Sequence, residues 1–169
     1  MASGIQKNLV EKNAEYAGSF DKGHLALPPA KKYLVVTCMD ARIDPAAAFG
    51  ISLGDAHVIR NAGASAKDAL RSIIISQQLL GTREILLVKH TGCGMLTFAN
   101  EDAHGIVQKN LGDAAAAEIK GLDFLPFPEL EAAVKDDVAI LEKTNTVPDD
   151  VIISGWVYEV ETGKVRQVV

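Results

Sequence analysis

A chain of 169 residues, 48% of them hydrophobic, has the size of one domain and would bury roughly two-thirds of its unfolded surface. Its net charge of −5, with Lys and Arg scattered along the sequence, removes the usual electrostatic reason to bind nucleic acid or an anionic membrane. No apolar run approaches the roughly 20 residues of a membrane span, and the N-terminus lacks a signal-peptide core, so a cytoplasmic protein is expected, with an organelle left open.

Residues 5–17 place Ile5, Leu9, Val10 and Tyr16 near one face, which predicts a short amphipathic helix. Pro28-Pro29 lies in a connector from Gly18 to Lys32 that cannot continue it. Residues 1–32 therefore read as a helical arm and connector, which either packs on its own domain or reaches onto a second subunit. Residues 33–169 read as one α/β domain. Tyr33–Thr37 is the first strand, apolar nearly throughout, as in a parallel sheet covered on both faces. Asp44-Pro45 is an N-cap followed by proline, opening a short turn that closes at Gly50. Ala56–Arg60 is the second strand, and Ala66–Leu80 a helix stopped by Gly81. Glu84–Lys89 is the third strand. Helices are expected from Thr97 or Glu101 to Leu111, over Asp113–Lys120 and over Glu129–Lys143. Val151–Val160 is the fourth strand, and Thr162-Gly163 returns Lys164–Val169 antiparallel at the sheet edge. The alternation predicts a mostly parallel central sheet, four strands plus an antiparallel edge, flanked by helices.

Two stretches carry the chemistry, Cys38-Met39-Asp40-Ala41-Arg42 and His90-Thr91-Gly92-Cys93-Gly94. Each leaves the end of a predicted strand. Such ends share a crevice on one edge of a parallel sheet, so Cys38 and His90 can meet although 52 positions separate them. The chain has two cysteines, and an intracellular pair is more often reduced, buried or metal-bound than joined in a disulfide. Two thiolates and one neutral imidazole are the usual ligands of a zinc ion that keeps its fourth position for water. Cys38, His90 and Cys93 are accordingly the expected ligands. Asp40 and Arg42 alternate along the first loop: a bidentate Arg42 would keep the carboxylate ionised and leave an oxygen for the water or hydroxide on the metal. An unpaired Asp40 could instead swing in as a fourth ligand and close the site. Gly92 and Gly94 let the backbone fold closely around a metal.

These motifs, with Asp55-Ala-His57-Val-Ile-Arg60-Asn61-Ala62-Gly63 between them, resemble the β-class carbonic anhydrases from about Tyr33 to the C-terminus. The resemblance implies zinc on Cys38, His90 and Cys93, a catalytic Asp40/Arg42 dyad, and a homodimer or higher homo-oligomer whose N-terminal helix lies over a neighbouring subunit. It implies reversible hydration of carbon dioxide to bicarbonate by a zinc-bound hydroxide. The chain resembles the short members of the class, some of which hydrolyse carbonyl sulfide or carbon disulfide, so these are the alternative substrates. A third reading is a non-catalytic, zinc-stabilised subunit with Asp40 as permanent fourth ligand. The Gln and Tyr that plant-type enzymes place around the substrate have no clear counterpart, and His57 stands where they carry a pocket phenylalanine. His57 and Gly94 are thus expected in the pocket, with His57 either a proton relay or a hydrogen-bonded strand residue.

Overall fold

The computed structural model describes residues 2–169. At its centre is a five-stranded sheet in the order β2-β1-β3-β4-β5, with β1 Tyr33–Cys38, β2 Ala56–Asn61, β3 Glu84–His90, β4 Ile152–Tyr158 and β5 Val165–Gln167. The first four strands are parallel, and β5 pairs antiparallel with β4. β1 is buried along five of its six residues, which is why its sequence is apolar without alternation. One face of the sheet, with Leu34, Val36, Ile85 and Leu87, packs under α3 (Ala66–Ile74) and α6 (Leu130–Lys143). The other face, with Val35, Val88 and Tyr158, is covered by loops and by the short α2 (Pro45–Phe49).

Local chemistry sets the helix starts. Asp44 accepts from the amides of Ala46 and Ala47, so it is the expected cap of α2. Ser65 caps α3 through Asp68, and Glu129 caps α6 through Glu131 and Ala132. α4 (Asn100–Leu111) and α5 (Asp113–Glu118) lie in the crossover from β3 to β4.

Two features depart from the sequence reading, and a third removes one of the two alternatives left for the N-terminal helix. The helix expected over residues 66–80 is α-helical only to Ile74, then widens to a π turn over Ile75–Leu79. The wider turn brings Ser76 and Gln77 inward, where the Ser76 hydroxyl meets Thr82 Oγ1 at 2.8 Å and His57 Nδ1 at 2.7 Å. The ladders of β1 and β3 also run one residue further than predicted, because Cys38 still pairs with Asn61 and His90 with Tyr158. Finally, α1 (Gly4–Gly18), started by a Ser3–Gln6 capping box, has no buried residue and does not pack on its own domain. Ile5, Leu9, Val10 and Tyr16 face solvent within this chain. No helix among the described residues is long and apolar enough to cross a membrane.

β4 and α6 meet at Gly155, where a Cβ would stand 2.5 Å from Val134 Cγ1 and 3.0 Å from Val138 Cγ2. Gly155→Ala should therefore overpack this contact and cost about 1–3 kcal/mol, measured as a lower midpoint in urea unfolding with an unchanged slope.

Candidate metal centre

The connections leaving β1 and β3 run to opposite sides of the sheet, which makes the gap between their C-terminal ends a topological switch point. Cys38 closes β1 and His90 closes β3. Beyond His90 the chain turns at Gly92, whose φ of 59° is left-handed, and comes back with Cys93. One ligand atom from each of Cys38, His90 and Cys93 lies within 4.8 Å of the others, and all three side chains are buried.

This donor set fits a metal ion. His90 Nδ1 lies 2.8 Å from the carbonyl oxygen of Thr91, which can only accept, so Nδ1 carries the proton and Nε2 presents a lone pair. That Nε2 is fully buried and has no hydrogen-bond partner among the described residues. The sulfurs make the same demand. Cys93 and the backbone amides of Asp40 and Gly63 favour a thiolate on Cys38, whereas that thiolate, together with burial, pushes Cys93 up. Two sulfurs this close share one proton unless a cation neutralises both.

Beside them stands the Asp40–Arg42 pair. Arg42 Nε donates to Asp40 Oδ1 at 2.9 Å and Nη2 to Oδ2 at 2.8 Å, a bidentate pair, and the Arg42 amide adds a bond to Oδ1 at 2.9 Å. These bonds hold the Asp40 carboxyl well below the usual carboxylate range, the guanidinium first and the Arg42 amide second. Asp40 Oδ2 is 3.7 Å from His90 Nε2. Arg42 Nη2 also donates to the Gly92 carbonyl at 2.9 Å, so one guanidinium ties the first loop to the second.

The carbonic anhydrase family model matches residues 33–165. The chain belongs to the β-carbonic anhydrase family. It is 39% identical to beta-carbonic anhydrase 1 of Mycobacterium tuberculosis over 165 residues, covering 97% of this chain and 98% of that one. It is 34% identical to a carbon disulfide hydrolase of an Acidianus species, covering 83% and 79%. Among solved structures it superposes on a carbonic anhydrase from Glaciozyma antarctica with a TM-score of 0.93, 46% identity and full coverage of both chains.

Within this β-carbonic anhydrase fold the five residues Cys38, Asp40, Arg42, His90 and Cys93 come together. Gly94 opens a single 3₁₀ turn, Gly94–Leu96, directly after Cys93. His57 is not brought to them within the chain. It lies four residues before the Asn61 end of β2, with its ring held by Ser76. Sequence reasoning missed the role of Arg60, which donates from Nε to the Cys38 carbonyl at 3.0 Å and from Nη2 to the Asp40 carbonyl at 2.7 Å. A cation at the end of the strand next to Cys38, inside the quoted motif, was the available signal.

The donor set generates a stoichiometry. The intact protein should hold one divalent metal per chain, and Cys93→Ala should lose it, as read by elemental analysis after gel filtration. Full occupancy in the variant would remove Cys93 from the ligand set.

Proposed function

We propose that this chain is a zinc-dependent carbonic anhydrase that interconverts carbon dioxide and bicarbonate, with Cys38, His90 and Cys93 as ligands and Asp40 and Arg42 as the catalytic pair. The observation that carries the reading is the bidentate Arg42 clamp, which commits Asp40 to a guanidinium beside a three-residue donor set. Zinc, when bound with three protein ligands, lowers the pKa of water so that hydroxide is available at neutral pH. Asp40 Oδ2, ionised and held in place by Arg42, would accept a hydrogen bond from the attacking oxygen and orient it toward the substrate carbon. Arg42 keeps the carboxylate from turning inward as a fourth ligand, which argues against the non-catalytic, closed reading. In hydration the oxygen–carbon bond forms, one C=O π pair moves onto oxygen to give bicarbonate, and one proton passes to solvent buffer. His57 has its ring nitrogen engaged by Ser76, so it serves better as a strand residue of its own chain than as a relay there.

Carbonyl sulfide or carbon disulfide hydrolysis is the second reading. It is supported by the 34% identity to relatives named carbon disulfide hydrolase, and the same five residues would perform it. We assign residues 33–169 to the catalytic domain and 1–32 to an arm, a division supported by the family match starting at residue 33. The exposed apolar side chains of α1 support a homodimer or larger homo-oligomer in which this arm lies on a second copy.

Three outcomes test this reading. Stopped-flow hydration of carbon dioxide should far exceed sulfide release from carbonyl sulfide or carbon disulfide by the same preparation; the opposite order makes the second reading correct. Arg42→Ala should lower kcat by about 100-fold or more while leaving the unfolding midpoint nearly unchanged, since the exposed ion pair itself contributes little to stability. Deleting residues 1–20 should reduce the assembly mass in light scattering, and an intact protein that is monomeric at micromolar concentration would contradict the oligomer.

A further inference from the structure

Lys89, the residue before His90, is 2% exposed and, by the alternation of the strand, points to the face of β3 opposite His90. Its Nζ lies 2.7 Å from Asp137 Oδ2 of α6 and donates to the carbonyls of Gly63 at 2.8 Å and Ala64 at 3.2 Å. The same ammonium stands 4.7 Å from the centre of the Phe127 ring. All its donors are therefore spent inside the protein, on a carboxylate and on one short turn.

That turn is unusual. Gly63 has φ 73° and Ala64 φ 54°, so two consecutive residues are left-handed, one of them with a Cβ. It is boxed in, since a Cβ on Gly63 would stand 2.7 Å from Met95 Cγ and 3.0 Å from the Phe127 ring. Asn61 brackets it by exchanging two side-chain bonds with the Ser65 backbone. The ladder pairs Cys38 with Asn61, so the turn lies directly against Cys38, and the Gly63 amide is one of the backbone groups favouring its thiolate. A buried ion pair contributes little stability, and apolar side chains of similar volume would fill the space without the desolvation cost. Its place under this turn has a better account.

We propose that the Lys89–Asp137 pair is a positioning device for the metal centre: it pins the left-handed Gly63-Ala64 turn against Cys38 and so sets how strongly that thiolate donates to the metal. The proposal rests on the reading of Cys38, His90 and Cys93 as metal ligands. A thiolate that accepts a backbone N–H gives less electron density to the ion and leaves it the stronger Lewis acid. Neither Lys89 nor Asp137 belongs to the donor group of Cys38, His90 and Cys93, so their influence on it runs through the turn.

The test uses the full chain with cobalt(II) in place of zinc, whose thiolate-to-metal charge-transfer band reports sulfur donation. Lys89→Met with Asp137→Leu removes both charges while keeping the volume. The double variant should fold and take up one cobalt, with its charge-transfer band moved to lower energy. In the zinc form its kcat/KM should fall about 10- to 100-fold. A purely structural pair predicts the unaltered band and rate in a folded double variant, and that result overturns the proposal. Should the double variant not fold, Asp137→Asn loosens the ammonium at nearly constant shape, and an unmoved band there overturns it equally. An unmutated protein that binds cobalt with no thiolate band would instead overturn the ligand assignment, so the two failures are distinct.

Discussion

The parallel pairing of β1 with β3 is the constraint on which the rest depends. With Thr37 opposite Val88, the next residues of the two strands are Cys38 and Lys89, and His90 follows one step later on the face of β3 opposite Lys89. A one-residue slip would put Lys89 into the crevice and His90 under α6. The apolar runs Tyr33–Thr37 and Ile85–Val88, buried on both faces, leave a slipped register without a core to fill. Hydrophobic burial far from the crevice thus decides which side chains enter it.

Once that register is set, charge does the remaining work. Two buried thiols and a histidine with a free lone pair form a site that is poorly satisfied by protons alone, and the surrounding groups supply positive character: Arg42 on the first loop, Arg60 on β2, backbone amides at Asp40 and Gly63, and Lys89 behind the sheet. Arg60 belongs among them because it holds two alternate carbonyls where β1 passes into the loop that carries Asp40, at Cys38 and at Asp40 itself. Without that strap the loop would present its carbonyl oxygens freely, and the Asp40 side chain would have more than one direction to point.

Most of the sheet and the meeting of Cys38, His90 and Cys93 were legible in the sequence because they depend on short-range patterns: continuous apolar strands, a proline at a helix start, chemistry-bearing residues at strand ends. The interruption of the third helix at Ile74 was not legible, since Ser76 and Gln77 read as ordinary surface-compatible residues until Thr82 and His57 are seen to meet Ser76. Lys89 was equally opaque. A lysine at the end of an apolar strand suggests solvent, and its partner Asp137 comes from a helix 48 positions later, a pairing that only the packing of α6 creates. The apolar face of α1 was legible as a pattern with two possible surfaces to cover, and only the packing removes the one on its own domain.

The guanidinium of Arg42 spans two loops, taking Asp40 from one and the Gly92 carbonyl from the other. Neither loop can drift alone: lengthening the second withdraws the Gly92 acceptor, and reshaping the first misaims the carboxylate. Such a shared anchor channels evolutionary change outward. Substitutions can accumulate in the surrounding walls, while the two loops can change only together.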